Sequence, residues 1–181
     1  MLNDGAVTQA LVFTRTKRMA NTLATQLHRQ GFSADAIHGN KSQNARQKSL
    51  DRFRRGQTKT LVATDVVARG IDLDSISHVF NYDIPDDAES YIHRIGRTGR
   101  AGATGTAITF VGNDERGWLR SIERLIKKPI EALAIAGSEN ADSSDHSKRS
   151  RQNNRKQTQR GSRSGRNQKA CLLYTSDAAD E

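Results

Sequence analysis

The sequence has one cysteine and no long apolar run. The single cysteine, Cys171, excludes a disulfide framework and a cluster of thiolate metal ligands, and it is typical of a reducing, cytoplasmic setting. No stretch approaches the roughly 20 apolar residues that cross a membrane, and no signal-peptide pattern is visible. We therefore expect no membrane partner and no secreted, disulfide-rich fold.

A phosphate-binding loop is also missing. The pattern G-x-x-x-x-G-K-[ST], whose backbone N–H groups cradle nucleotide phosphates, occurs nowhere in the chain. The segment 56–60, Gly-Gln-Thr-Lys-Thr, has a lysine between threonines but the wrong spacing. This chain therefore carries no complete nucleotide site of that type.

Positive charge is abundant and unevenly distributed. The net charge is +9, with 20 Lys and Arg against 14 Asp and Glu in residues 1–136, and 9 against 3 in residues 137–170. This balance favours a polyanionic partner, most simply a nucleic acid. Residues 137–170 are rich in Ser, Asn, Gln and Arg and have no aromatic residue, which predicts a disordered basic tail. Such a tail either binds RNA phosphates without stacking on bases or merely keeps the chain soluble.

The two ends of the chain are set apart from the fold. Residues 1–9 are interpreted as a truncated lead-in, with Met1 an internal methionine or a truncation point. Residues 171–181, CLLYTSDAADE, reverse the charge of the tail and resemble the translation of a transposase sequencing adapter read in frame. We exclude this segment from the sequence-based fold prediction.

Hydrophobic patterning predicts strands that alternate with helices. Strands are predicted at Ala10–Phe13, Ser33–His38, Thr60–Thr64, His78–Tyr82 and Thr104–Val111. Helices are predicted from Thr14 as N-cap to Gly31, at Asn44–Arg55, at Ala88–Ile95 and at Asp114–Lys128. The last helix is predicted to face the core with Trp118, Leu119, Ile122, Leu125 and Ile126.

This alternation predicts an α/β domain over residues 10–136, with a mainly parallel sheet covered on both faces. Ligands of such sheets gather at the carboxyl ends of the strands. Polar clusters follow four predicted strands, at 14–17, 39–41, 64–65 and 81–83. We expect these loops to converge on one edge and form a site.

Residues 93–100, His-Arg-Ile-Gly-Arg-Thr-Gly-Arg, gather three arginines and a histidine in eight positions. At 100° per residue His93, Arg97 and Arg100 would share one helical face, although Gly96 and Gly99 are expected to fray the helix. A solvated basic face is the simpler alternative. The two glycines favour an anion site instead, because they would let the backbone approach a ligand or another domain.

This string resembles motif VI of the DEAD-box RNA helicases. Further segments resemble other motifs of that family in the same order: Val12–Lys17, His38–Gln43 with Arg46, Ala63–Asp72 and Asn81–Asp83. The wording VFTRTK and HGNKSQ is most similar to the bacterial RhlE type. The resemblance implies the C-terminal RecA-like domain, a three-layer αβα sandwich with a mainly parallel sheet.

The resemblance also implies a role in binding and hydrolysing ATP. It implies catalytic roles for His93, Arg97 and Arg100, and nucleotide contacts for Asp72, Arg94, Arg97 and Arg100. Arg97 and Arg100 would be arginine fingers on the γ-phosphate, and Asp72 would accept hydrogen bonds from the ribose. Arg94 would also support the motif through carboxylates of the same domain. His93 as a surface histidine and Asp72 as a turn aspartate remain alternatives.

RNA contacts are implied by the same resemblance. They fall on Thr14, Arg15, Gly39, Gln43, Arg46, Thr64, Arg69 and Gly70. Hydroxyl and backbone N–H groups at such positions hold phosphates and sugars without reading sequence. Thr14 could instead serve only as an N-cap, and Arg46 could be a solvated charge.

The sequence therefore predicts the C-terminal half of an ATP-dependent RNA helicase. No Asp-Glu-Ala-Asp box is present, so we expect a missing N-terminal RecA-like domain as partner, with Mg²⁺ held mainly there. The chain alone is predicted to be inactive, with no metal site of its own. A stand-alone RNA-binding module and another superfamily-2 motor are the alternatives. The RNA substrate and any ribosomal or RNA-degradation partner cannot be read from the sequence.

Overall fold

The computed structural model describes residues 7–68, 71, 73, 76–99, 104–133 and 171–176; for 113, 132–133 and 171–176 it describes the backbone alone. Its centre is a sheet of five parallel strands in the order β2-β3-β1-β4-β5. The strands are β1 Ala10–Phe13, β2 Ala34–Ile37, β3 Thr60–Ala63, β4 His78–Asn81 and β5 Thr106–Val111. Each of the five predicted strands is present, shortened by up to two residues at an end.

Helices connect the strands and cover both faces of the sheet. They are α1 Lys17–Arg29, α2 Gln43–Arg54, α3 Asp65–Ala68, α4 Ala88–Ile95 and α5 Arg116–Ile126, with a 3₁₀ turn at Asn113–Glu115 before α5. Alternate residues of β1 pack to opposite sides: Leu11 lies in one buried cluster with Phe53 of α2, and Val12 lies in another with Ala20 of α1. This is the RecA-like αβα architecture that the sequence predicts.

The first helix begins two residues later than predicted. Thr16, not Thr14, is the N-cap, and its Oγ1 accepts a hydrogen bond from the Met19 backbone N–H at 3.1 Å. The prediction of Thr14 as N-cap is therefore wrong. Gly31 and Gly56 end the turns after α1 and α2 with φ of +86° and +69°, where glycine is favoured.

Two strands that the sequence analysis did not predict extend the sheet. β6 spans Glu131–Leu133 and β7 spans Cys171–Ser176. The β7 backbone pairs antiparallel with β5 on one side and with β6 on the other. The segment excluded from the fold prediction is thus part of the sheet over 171–176, although this pairing does not test the origin of its codons. The lead-in 1–6, the tail over 134–170 and residues 177–181 lie outside the described residues.

The inward face of α5 is narrower than predicted. Ile122 is buried and Leu119 and Ile126 are partly buried, but Trp118 and Leu125 are 49% and 45% exposed. The prediction that these last two face the core is wrong. The contact with α4 covers a single stripe of the helix, and residues 118 and 125 lie on the flank of that stripe.

Candidate functional site

The loops after the first four strands meet at one edge of the sheet. Strand registers align Phe13 with both Ala63 and Asn81, and Ile37 with Ala63. The residues that follow each strand therefore lie side by side at the carboxyl edge. The predicted convergence is what the strand registers give.

Arg94 is the buried centre of this edge. Its residue is only 2% exposed, yet its guanidinium makes a two-pronged ion pair with Asp65, with both N···O distances at 2.7 Å. Its Nη1 donates to the Asp83 carbonyl at 2.6 Å and to Asn81 Oδ1 at 3.3 Å. The guanidinium also lies over the Phe13 ring, 5.0 Å from the centroid. Arg94 thus links α4 to α3, to β1 and to the end of β4.

These contacts favour the supporting role for Arg94 over a nucleotide contact. A guanidinium has five N–H donors in a fixed fork, and the hydrogen bonds of Arg94 point into its own domain. Asn81 is fully buried, and its Nδ2 donates to Thr109 Oγ1 at 3.0 Å, which fixes the amide so that Oδ1 faces Arg94. The sequence analysis placed Asp65 and Asn81 in the loops but missed their pairing with Arg94.

His93 and Arg97 lie at the surface beside this buried centre. α4 ends at Ile95 with Gly96 as C-cap, so Arg97 is in the following turn and the predicted helical face does not extend to it. Both side chains nevertheless line one small surface pocket, which they share with Phe13, Asp65, Ala68 and Arg94. His93 is exposed, and Arg97 is partly buried with Nη1 3.4 Å from the Ile71 carbonyl. The predicted sites Arg100 and Asp72 lie outside the described residues.

The turn after α4 is fixed from within the domain. The Thr98 hydroxyl donates to the Ile76 carbonyl at 2.5 Å, and Gly99 has a φ of +69°. A Cβ built on Gly105 would collide with Thr98 Oγ1 and the Gly99 nitrogen. Both glycines are therefore required by the local backbone, which is a different reason from the approach of a ligand that the sequence suggested for Gly99.

Two predicted RNA-binding residues have contacts within the domain. Thr14 is fully buried, with Oγ1 3.3 Å from the Thr16 carbonyl and 3.5 Å from the Ala63 carbonyl. Arg15 donates its backbone N–H to Asp83 Oδ2 at 2.8 Å, and its guanidinium contacts the Ile84 carbonyl, Asp86 and Glu115. An RNA contact for the Thr14 hydroxyl or the Arg15 guanidinium would need these contacts to change.

The other predicted RNA-binding residues lie at the surface or outside the described residues. Gly39 and Gln43 are exposed, and Arg46 and Thr64 are partly buried. Arg46 Nη2 donates to Gln43 Oε1, one turn earlier on α2. Arg69 and Gly70 lie outside the described residues.

His38 is a buried polar group that sequence reasoning passed over. It is 4% exposed at the end of β2, and its Nε2 lies 3.0 Å from Asn21 Oδ1 of α1. Burial, together with the charges of Lys41 and Lys17, lowers its pKa. Burial also lowers the pKa of His78, at the opposite edge of the sheet. A histidine directly after an apolar strand end, followed by Gly39 and Lys41, is the sequence signal that could have pointed to this position.

Metal and membrane features were sought in the described part of the chain. It holds no group of three or more His, Cys, Asp or Glu residues placed to bind a metal ion. It also holds no helix that is long and apolar enough to span a membrane. The sequence analysis assigns Mg²⁺ mainly to an N-terminal RecA-like domain, so the described residues do not test that prediction.

The parallel sheet and its arginine-centred carboxyl edge define the class as a RecA-like α/β domain of the kind found in helicases. Residues 1–102 match the family described as the helicase conserved C-terminal domain. The DEAD-box ATP-dependent RNA helicase CshA of Geobacillus kaustophilus is 50% identical over 133 residues, which is 74% of this chain. CshA of Bacillus subtilis is 48% identical over 124 residues, or 68% of this chain. The chain therefore belongs to the DEAD-box RNA helicases and corresponds to their conserved C-terminal domain.

Solved structures agree with this assignment. The E. coli DEAD-box protein SrmB, bound to regulator of ribonuclease activity A, aligns with a TM-score of 0.73 and 37% identity over 81% of this chain and 86% of that one. S. cerevisiae Dbp5 bound to RNA and ADP BeF3 aligns with a TM-score of 0.62 and 39% identity, over 66% of this chain and 33% of that one. These names do not test the likeness to the RhlE type, which stays a prediction.

The chain spans about a quarter of the curated relatives it matches, 28% of the Geobacillus protein and 25% of the Bacillus subtilis protein.

Proposed function

We propose that this chain provides the C-terminal RecA-like domain of an ATP-dependent RNA helicase. It supplies Arg97, together with Arg100, to the γ-phosphate of an ATP held by a second RecA-like domain. It also supplies part of the RNA track along its carboxyl edge. The observation that carries the proposal is that neighbouring residues of this motif face different surroundings. The Arg94 guanidinium is paired with Asp65 inside the domain, whereas His93 and Arg97 line the surface pocket beside it.

The chemistry of the two surface groups fits an anionic ligand. Hydrolysis builds negative charge on the γ-phosphoryl oxygens, and a permanently charged planar guanidinium stabilises it. The Arg94 network supports that role because it fixes α4, and with it the segment that carries Arg97, to α3 and to the strands β1 and β4. When the missing domain closes over this edge, Arg97 would meet the phosphate, and His93 would contact that domain.

ATP supplies the phosphoryl group whose transfer to water drives opening and closing of the two domains. The guanidinium of Arg97 suits the phosphate end of ATP by its charge, and the resemblance assigns the ribose to Asp72. Mg²⁺ would be bound mainly by the other domain, as in the sequence-based expectation. The RNA side of the proposal is supported by Dbp5, whose structure with RNA and ADP BeF3 shares this fold.

The experiment is a chimera. The 181 residues replace the matching C-terminal region of Geobacillus kaustophilus CshA, and RNA-stimulated ATP hydrolysis is measured with and without Arg97→Ala. Because an arginine finger contributes about 10³–10⁵ in rate, we expect a loss of that order. The chain alone should show no ATPase activity.

Arg29→Ala is the matched control, since Arg29 is an exposed arginine at the end of α1, on the opposite edge of the sheet. It should leave the rate within about twofold, as a surface substitution does. RNA-stimulated hydrolysis by the chain alone, or equal rates in the two variants, would contradict the proposal. RNA binding that survives with no ATPase in the chimera would favour a stand-alone RNA-binding module.

A further inference from the structure

The loop between β2 and α2, residues 38–42, is attached to the first turns of α1 by two side-chain contacts. Asn21 Oδ1 lies 3.0 Å from His38 Nε2, and Lys17 Nζ donates to Asn40 Oδ1 at 3.0 Å. Lys17 and Asn21 are four residues apart, so they lie on one face of the helix. The loop is therefore attached to one face of α1.

The His38 ring is held in one orientation. An amide oxygen only accepts, so Nε2 carries the proton and Nδ1 is left as an acceptor. Nδ1 is buried and has no hydrogen-bond partner among the described residues. With the ring 4% exposed, its direction is fixed by burial and by the single hydrogen bond to Asn21. Loss of that hydrogen bond would leave both ring nitrogens of a buried imidazole unsatisfied.

Gly39, the next residue, has no structural reason to be glycine. A Cβ built there would meet no atom within 4 Å, and Gly39 is not among the residues with positive φ. This contrasts with Gly99 and Gly105, which the backbone requires. The space above Gly39 is thus open to a group from outside the domain, which could approach the backbone closely.

The surroundings of Gly39 select an anion. Lys17 contacts the neighbouring Asn40, and Lys41 follows two residues after Gly39. The pKa of His38 is lowered by burial and, to a smaller extent, by the charges of Lys41 and Lys17. The first turn of α2, which follows at once, contains no acidic residue. Cations and unpaired backbone N–H groups at a helix start suit a phosphate of an RNA backbone.

We infer that Asn21 and His38 are positioning residues that orient the Gly39 backbone for an RNA phosphate, with Lys17 and Asn40 as a second attachment. Neither Asn21 nor the His38 ring touches the RNA. The inference rests on the RNA binding proposed above and adds to it the pair that sets the shape of one contact.

The test uses the full chain and a fluorescently labelled single-stranded oligouridylate. Asn21→Leu keeps the size of the side chain and removes the acceptor. The affinity for RNA should fall about tenfold, which is the worth of one hydrogen bond between the Gly39 backbone and a charged phosphate. Asn21→Gln keeps a neutral amide acceptor and should stay within about threefold of the parent chain. His78→Gln alters the other histidine with a lowered pKa, at the far edge, and should change nothing.

A local readout separates positioning from general loss of structure. In the amide NMR spectrum of the parent chain, RNA should shift the Gly39 resonance more than that of Gly31, at the opposite edge. In Asn21→Leu the Gly39 resonance should differ before RNA is added and respond less. This measurement on the parent chain stands even where the leucine variant does not fold.

The outcomes distinguish the two proposals. RNA binding with an unmoved Gly39 resonance and equal affinity in Asn21→Leu overturns the positioning role and leaves the proposed function intact. Loss of affinity that Asn21→Gln does not restore also overturns it, because the acceptor would then not be the cause. If neither the parent chain nor the chimera described above binds RNA, the proposed function itself is overturned.

Discussion

The ion pair between Arg94 and Asp65 should have an asymmetric effect on stability. The Arg94 side chain is 3% exposed and that of Asp65 is 30% exposed, although the two groups meet at 2.7 Å. Removal of Asp65 strands a cation that cannot reach water. Removal of Arg94 leaves a carboxylate that is already partly hydrated. The stranded cation is the more costly of the two, since an uncompensated charge in the interior is strongly destabilising.

The perturbations are Asp65→Leu and Arg94→Met, the latter keeping an unbranched side chain but removing the guanidinium that lies over Phe13. Asp65→Leu should lower the free energy of unfolding by about 3–5 kcal/mol, the range for breaking a buried pair. Arg94→Met should lower it by about 1–3 kcal/mol, the cost of leaving the acceptors of Asp65, Asp83 and Asn81 without their donor. The double variant should lose less than the sum, because it removes both charges together.

Urea denaturation of the chain, followed by circular dichroism, measures all three variants. If Arg94→Met lowers the free energy of unfolding as much as Asp65→Leu does, the difference in exposure of the two side chains does not determine the cost, and this interpretation is refuted. It is also refuted if both cost under about 1 kcal/mol, the value of an exposed salt bridge. Additive losses in the double variant would show that the two side chains do not act as a pair.

Three further predictions follow from single residues. Burial lowers the folded-state pKa of His38 and His78, so the unfolded chain takes up protons first as pH falls below 6.5. The free energy of unfolding should therefore drop between pH 7.5 and 5.5. His38→Gln should flatten that slope, as measured by urea titration at each pH. Thr16→Ala removes the N-cap of α1 and should cost about 1 kcal/mol in the same assay, whereas an unchanged midpoint would show that the cap is dispensable. Gly99→Ala places a side chain at a φ of +69° and should cost about 1–2 kcal/mol, with a neutral result contradicting the left-handed turn.

The strands and most helices could be predicted because local patterns determine them. The β1 run Ala10–Phe13 is fully apolar and buried, and the α4 bounds follow from Asp87 as N-cap and Gly96 as C-cap. Helix α3 was missed because four residues carry no period of their own. The β7 pairing was missed because the contacts of Cys171–Ser176 are with β5, about 60 residues earlier, and with β6.

The site could be located from the sequence but not resolved into roles. Polar loops after parallel strands gave the edge, and the resemblance gave the residue names. Burial, which the sequence does not display, then separated them: Thr14 and Arg94 lie inside, and Gly39 and His93 lie at the surface. The anchoring pair of Asn21 and His38 joins two residues 17 apart on different elements, and no spacing rule relates them.

One physical reason explains why a cationic motif can serve the fold and the ligand together. Buried polar and charged groups need partners, and Arg94 and Thr98 find theirs inside the domain, on Asp65 and on the Ile76 carbonyl. Arg94 lies in the last turn of α4, and Thr98 lies in the turn that follows Gly96. His93 and Arg97, each one position earlier in the sequence, line the surface pocket. The inner pair therefore fixes the backbone that aims the outer pair, and substitutions at Arg94 should impair catalysis in the chimera without any contact between Arg94 and the nucleotide.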